Sequence, residues 1–291
     1  MKKIVCMLAA TALIAGAMAG CSTGEVGTST PAGNSSAGET GTTAKLTGKL
    51  VMNGSTSMEK VCGALNEAFK EKNPDLTIDL QLTGSGAAIT SLDQGTAQIG
   101  NLSRAVKESE NAEGKYEVIT IALDGIAVIV HPDNAVTDLS KEQLASIFTK
   151  EKTNWKDFGG ADESITVIGR ETGSGTRDGF EDVVGVKDEC QYDATVDATG
   201  TVVARVASDS KAIGYVSLAS VSKEVKAVSV GGVTPSESTV ADKSYTLQRP
   251  FVHAYKKDTK DPNVLAYLEY LKTDEAQKII ADEGLVAQKF W

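Results

Sequence analysis

An α/β fold is the architecture this sequence predicts, and three observations predict it. Strand-like and helix-like segments alternate from Leu46 onward, and glycine- and serine-rich turns recur where a strand gives way to a helix. The chain of 291 residues is also long enough for a sizeable core shared between two lobes. Hydrophobic residues make up 41% and charged residues 23%, an ordinary globular balance.

The elements follow in order. Leu46 to Met52 reads as a strand that runs into Asn-Gly-Ser-Thr-Ser. Met58, Val61, Leu65, Ala68 and Phe69 then recur at helical spacing, and Asn73-Pro74 stops them. From Thr77 to Leu82 the pattern alternates, with Ile78, Leu80 and Leu82 on one face. Thr-Gly-Ser-Gly follows, then a segment that can open a helix, and after Gln98-Ile99-Gly100 comes Asn101-Leu102-Ser103-Arg104. Ile119 to Val130 is rich in β-branched residues, and Asp124-Gly125 reads as an interruption where the chain crosses between lobes. Ser140 with Gln143 forms a capping box, and Leu139 with Leu144 a hydrophobic staple. Ile165 to Ile168 is a short strand, and Phe180, Val183 and Val184 line the helix beyond it. Asp261-Pro262 starts a helix with Val264, Leu265, Leu268 and Leu271 on its apolar face; a second short helix reaches Gly284.

The N-terminus differs from the rest. Lys2 and Lys3 precede an uncharged run from Ile4 to Ala19, and Ala19-Gly20-Cys21 follows. A basic start, an apolar run too short to span comfortably and small residues before a cleavage point describe a secretory signal over residues 1–20. Cysteine directly after the small residues is similar to a bacterial lipobox, with Met18 where leucine is more usual, and marks Cys21 for acylation by a palmitate-type chain that anchors the protein to the membrane. From Ser22 to Ala44, 20 of 23 residues are Gly, Ser, Thr, Ala, Pro or Asn. Such a segment cannot bury a core, so residues 21–45 read as a tether with a reach of roughly 25–30 Å. No other stretch approaches a membrane-spanning length, so the remainder is expected to be soluble.

Formal charge is −10, and loss of Lys2 and Lys3 makes it −12. Nucleic acid and anionic membrane surfaces are therefore poor partners. Beyond Cys6 and Cys21 only Cys62 and Cys190 remain; they could pair, although Cys62 falls in a helical pattern and reads as a core residue. No Cys/His cluster has zinc spacing, and the two histidines are His131 and His253, so neither metal nor cofactor is expected.

The segment Gly169–Asp178, GRETGSGTRD, carries the functional signal. As a dinucleotide fingerprint it fails, because Asp178 stands where a third glycine belongs, and no GxxxxGK[ST] exists. As a nucleophile elbow it also fails, since Thr172 and Thr176 flank the central Gly-Ser-Gly and neither histidine is placed as a base. A plain turn remains open. So does an anion site, because a helix start offers unpaired N–H groups and a partly positive dipole end. Recurrence favours the anion site. Gly54–Ser57 (GSTS), Thr83–Gly86 (TGSG) and Thr172–Thr176 (TGSGT) each lie between a strand-like and a helical segment. Such loops gather at the carboxyl edge of an open sheet, and Arg170 can add bidentate charge. Micromolar binding needs about 8 kcal/mol, against roughly 1.5–3 for each hydrogen bond to a charged group, so several loops must contribute.

Taken with LSKEQLASIFTKEKTNWKDFGG, GRETGSGTRDGFED, AIGYVSL and SYTLQRPF, these loops make the chain from Leu46 to its C-terminus resemble the PstS family, the phosphate-binding lipoproteins of bacterial ABC phosphate importers. The resemblance implies a two-lobed periplasmic-binding-protein fold of type II with the ligand cleft between the lobes. It implies capture of inorganic phosphate without enzymatic chemistry, and delivery to the membrane permease subunits by a monomeric, extracytoplasmic receptor. Carried over by position, Thr56, Ser57 and Ser85 bind from the first lobe, and Arg170, Ser174, Gly175 and Thr176 from the second. The first lobe is expected to comprise residues 46–126 plus 247–291, and the second 127–246. Two positions depart from the family's best-known form: Ser103 and Thr172 stand where acidic residues are expected, with Arg104 and Glu171 beside them. Ser103 stays in the expected site, and Asp124 is expected to accept the proton of hydrogen phosphate in place of the missing carboxylate; a turn role before Gly125 is the plainer alternative. Arg177 is a secondary candidate that can instead pair with Asp178 or Glu181. The competing readings are a receptor for sulfate or molybdate, a secreted phosphatase or hydrolase, and an adhesin or signalling partner.

Overall fold

The computed structural model describes residues 45–291. The expected signal segment, Cys21 and the expected tether as far as Ala44 lie outside the described residues.

Strand β1 (Gly48–Gly54) leads through a single 3-10 turn at Thr56–Met58 into helix α1 (Glu59–Lys72), then β2 (Leu76–Leu82), α2 (Ser85–Gln94), β3 (Ile99–Leu102) and the long β4 (Tyr116–Val130). Next come β5 (Asp138–Leu139), α3 (Lys141–Phe148), β6 (Thr166–Arg170), α4 (Gly175–Val184), β7 (Ala194–Val196) and α5 (Thr199–Ser208). The chain ends with β8 (Ala212–Ser217), β9 (Lys226–Val230), α6 (Glu237–Ala241), β10 (Gln248–Lys256), α7 (Pro262–Leu271), α8 (Asp274–Asp282) and β11 (Val286–Ala287). The sheet runs β2-β1-β3-β10-β4-β8-β6-β7. Strands β1, β2 and β3 are parallel, as are β6, β7 and β8, and the antiparallel pair β4–β10 joins the two groups.

Local signals place the helix ends. Ser140 and Gln143 form the expected reciprocal box at α3, and Leu139 and Leu144 both enter the core beside it. Asp261 accepts from the Asn263 N–H, with Pro262 in the first turn of α7. The elements between Val184 and Asp261 leave a weaker trace in the sequence: β7, β8 and β9 are short, and Gly200 weakens the helical reading of α5.

Two main cores fill the lobes. One joins α1 and α7 to β1 and β10 through Leu50, Met52, Leu65, Phe69, Phe251, Tyr267 and Leu271, with a smaller cluster of Ala88, Leu92, Leu102 and Val252 on the other face of the sheet. The other is built from Val128, Leu144, Phe148, Trp155, Phe180, Tyr215 and Leu247, and is backed by Ile168, Val202, Val206 and Val216. Cys62 is buried in the first and Cys190 packs beside the second, so both thiols are free; burial pushes each up to about 12.

One expectation is corrected. Asp124-Gly125 does not interrupt the crossing strand: β4 is continuous over 15 residues and only changes neighbour there. It pairs with β10 as far as Gly125 and with β8 from Ile126. The ladder survives because Asp124 faces a partner for its charge, Arg249 on β10, and because Gly125 leaves room for the Val240 and Leu218 side chains.

Candidate functional site

Four helix starts point into the seam between the lobes. The first lobe contributes Ser55–Ser57 and Ser85, and the second Ser174–Thr176 and Thr199. Each segment opens a helix or turn, so its first N–H groups have no carbonyl partner inside the helix; the Thr199 N–H donates across the seam to Thr56 Oγ1 at 3.2 Å. Ser55 and Ser174 cap their own segments, accepting from the N–H groups of Ser57 and Arg177. Gly54 has φ +152°, and a Cβ there would lie 1.9 Å from the Asn101 carbonyl oxygen, so only glycine lets the first loop pack this tightly.

The hydroxyls meet across the seam. Ser57 Oγ lies 2.8 Å from Thr176 Oγ1 and 3.0 Å from Thr199 Oγ1, and Thr56 Oγ1 lies 3.0 Å from Thr199 Oγ1. Within the first lobe Ser55 Oγ donates to Ser103 Oγ at 2.8 Å, and the Ser103 N–H donates to Ser85 Oγ at 3.1 Å. Gly86 N–H reaches the Gly173 carbonyl at 2.9 Å, tying the second loop to the third. Gly175 closes the arrangement: a methyl on it would fall 2.4 Å from Ser85 Oγ and 2.6 Å from Ser103 Oγ.

Arg170 ends β6 and is 2% exposed, a long cation in a nearly dry seam. It donates to Thr199 Oγ1 and Thr56 Oγ1, each at 3.1 Å, and so touches both lobes. Glu171 takes two further bonds from it at 2.9 Å, and the Val196 and Asp197 carbonyls complete its shell. Glu171 is thus the carboxylate paired with Arg170, while Thr172 is exposed.

A second buried arginine lies behind Ser103, and sequence reasoning left it without a role. Arg249 on β10 donates through Nε and Nη2 to Asp124 Oδ2 at 3.1 and 3.0 Å, and through Nη1 to Ser103 Oγ at 3.1 Å. Ser217 donates to Asp124 Oδ1 at 2.8 Å. Burial pushes the Asp124 carboxyl up and the Arg249 guanidinium down, and the charge of each opposes the shift of the other. Asp124 therefore faces Arg249, Ser217 and the Ala219 backbone, and among the described residues it connects to the loop hydroxyls through Arg249.

Thr199 is the other residue missed. Its partners Thr56 and Ser57 lie more than 140 positions away, and the Ala198 before it carries no turn chemistry. The remaining charged candidates belong elsewhere. Arg177 pairs with Glu181 at 2.8 Å and lies over the Tyr192 ring. Arg104 forms a two-pronged pair with Glu110 and reaches Asp178 at 2.9 Å, and Lys107 meets the same carboxylate at 2.7 Å.

The seam is rich in hydroxyl and guanidinium donors. No cluster of metal-ligating side chains occurs among the described residues. His253 is buried, and desolvation holds its ring well below its usual range, at about 3, with no hydrogen-bond partner for either nitrogen among the described residues. His131 is held in its own turn, accepting from the Asp133 N–H. No helix among the described residues is long and apolar enough to cross a membrane.

Known proteins are similar to this chain in sequence and fold. Residues 34–275 match the family model of the PBP superfamily domain, and the chain belongs to that class of two-lobed binding domains. It is 35% identical over 253 residues to the phosphate-binding protein PstS of Bacillus subtilis (strain 168), covering 83% of this chain and 81% of the relative. It is 30% identical over 259 residues to the PstS of Staphylococcus haemolyticus, with 83% and 82% covered. Within the superfamily the chain therefore belongs to the PstS family of binding proteins. A phosphate ABC transporter substrate-binding protein of Clostridium perfringens with bound phosphate superposes with TM-score 0.79 at 38% identity, covering 83% of this chain and all of that one. An ABC-type phosphate transport receptor of Vibrio cholerae gives 0.69 at 33% identity, over 82% of this chain.

Proposed function

We propose that this chain is an extracytoplasmic solute-binding protein that captures inorganic phosphate between its lobes and delivers it to the permease subunits of an ABC importer. One observation carries the reading: Arg170, nearly inaccessible to water, bridges hydroxyls of both lobes, so a tetrahedral anion at that point engages both at once. Thr56, Ser57, Ser85 and Ser103 face it from the first lobe, and Arg170, Ser174, Gly175 and Thr176 from the second. Asp124 serves at one remove, holding Arg249 against Ser103. The lobes divide at residues 126 and 247, and the receptor acts as a monomer. Cys21, once the signal is removed, carries the lipid that keeps it at the membrane.

Isothermal titration of the protein stripped of bound ligand tests this reading. Phosphate is expected to bind at micromolar concentration or tighter, with sulfate as the comparison anion. Heat from sulfate and none from phosphate would turn the assignment to another oxyanion. Hydrolysis of a chromogenic phosphate ester is expected to be absent.

A further inference from the structure

We propose that Arg249 is a positioning residue that sets the anion preference of the seam by fixing Ser103 as a hydrogen-bond donor. The proposal rests on the oxyanion-receptor reading above and deepens it. A hydroxyl has two acceptor lone pairs and one proton. Both acceptor positions of Ser103 Oγ are filled: Ser55 Oγ donates at 2.8 Å and Arg249 Nη1 at 3.1 Å. The remaining O–H must point elsewhere. Its neighbours are Ser85 Oγ at 3.4 Å, longer than a good hydroxyl hydrogen bond, and the seam facing Gly175. Ser103 therefore offers an anion a proton and cannot take one from it.

Arg249 holds that position for physical reasons. Its side chain is 2% exposed, and Asp124, with a fully buried side chain, accepts from both Nε and Nη2, so the fork has one orientation. Ser217 pins the far side of the carboxylate at 2.8 Å. The stem of Arg249 also packs on α4, where a Cβ added at Gly179 would lie 3.5 Å from its Cδ. The guanidinium is thus held by β4, β8 and the helix that opens with the third binding loop. A carboxylate at position 103 would accept a ligand proton; an arginine-backed serine favours the form of the anion with the most bare oxygens.

A double-mutant cycle on the stripped full chain tests this, with inorganic phosphate and sulfate as titrants. Arg249→Gln alone leaves Asp124 buried without its partner, so the companion variant Arg249→Gln/Asp124→Asn keeps the pair neutral and bonded. The companion is expected to bind phosphate about 10-fold more weakly. In a Ser103→Ala background the same change should cost less than about 2-fold, because Arg249 acts through the hydroxyl that is gone. Phosphate carries one proton more near pH 6 than near pH 8. The companion should therefore favour the lower pH relative to wild type by about 3-fold, as the freed Ser103 turns to accept. Equal losses with and without Ser103, or an unchanged pH profile, would overturn the proposal, since a purely structural arginine gives both. A wild type that takes sulfate and not phosphate refutes the functional reading instead, and the cycle is then read with sulfate. A wild type that binds neither overturns both.

Discussion

Two sets of buried polar side chains contrast in this protein: one is joined up and the other is not. In the seam, Thr56, Ser57, Ser103, Thr176 and Thr199 are each under 8% exposed, and every hydroxyl is bonded to another or to an arginine. Inside the first lobe, Asn101 and His253 face each other across β3 and β10, and Asn66 and Tyr267 are buried with them. Among the described residues their side-chain nitrogens and oxygens have no hydrogen-bond partner. The contrast separates two costs. Thr56, Ser57, Thr176 and Thr199 are satisfied by partners from the opposite lobe, so their desolvation is offset only while the lobes meet. The interior set is desolvated whenever the chain is folded, and its cost falls on stability rather than on binding.

Substitutions can break or sharpen that contrast, and the largest effect is expected at Arg170. Arg170→Met should weaken phosphate binding by at least about 100-fold, near 2.7 kcal/mol, measured by titration with circular dichroism confirming the fold. Next comes Gly175→Ala, whose methyl would lie 3.1 Å from the Ser103 carbonyl carbon as well as against both serine hydroxyls. It should cost about 10-fold or more in affinity and enlarge the radius of gyration of the liganded protein in solution scattering, with the unliganded melting temperature nearly unchanged. Asp178→Asn weakens two pairs at the rim, to Arg104 and Lys107. An effect of about 2- to 5-fold is expected, shrinking at high salt, because Lys107 is 45% exposed and screened.

The smallest effect on binding, and the clearest on stability, is expected at His253. Its folded-state value is depressed to about 3 against 6.5 for an ordinary imidazole. The unfolded chain therefore takes up a proton below about 6.5 while the folded one does not, so stability falls as pH drops from there toward 3, by up to about 1.4 kcal/mol per pH unit. His253→Leu should flatten that part of the melting-temperature profile and leave phosphate affinity within about 2-fold. An acid limb identical to wild type would place the titrating group elsewhere.

How much of this was legible follows from how local each cause is. Gly54–Ser57, Thr83–Gly86 and Thr172–Thr176 announce themselves because glycine and hydroxyl residues recur at three strand ends, and Arg170 sits beside one of them. Helices α3 and α7 carry their caps in sequence, so they too were readable. Thr199 was not, since it lies between Ala198 and Gly200 and gains its role from residues more than 140 positions away. Arg249 was visible as a charge before Pro250 in an apolar segment, but its partners Asp124 and Ser103 lie 125 and 146 positions away. The same pair explains why Asp124-Gly125 misled. An aspartate followed by glycine reads as a break until a buried guanidinium on the next strand supplies the missing charge.

The pairing of β4 with β10 has one more consequence. Both passages between the lobes run side by side, with Asp124 opposite Arg249 and Gly125 opposite Gln248, and Ile126 N–H bonded to the Leu247 carbonyl at 2.7 Å. A narrow ribbon of this kind flexes and twists readily yet resists sliding, since sliding would break its rungs together. Relative movement of the halves is therefore channelled into a swing about that ribbon, and the two hydrophobic interiors ride on it as rigid bodies. On the function proposed above, parting of the polar mouth about that ribbon would free the anion while both interiors stay intact.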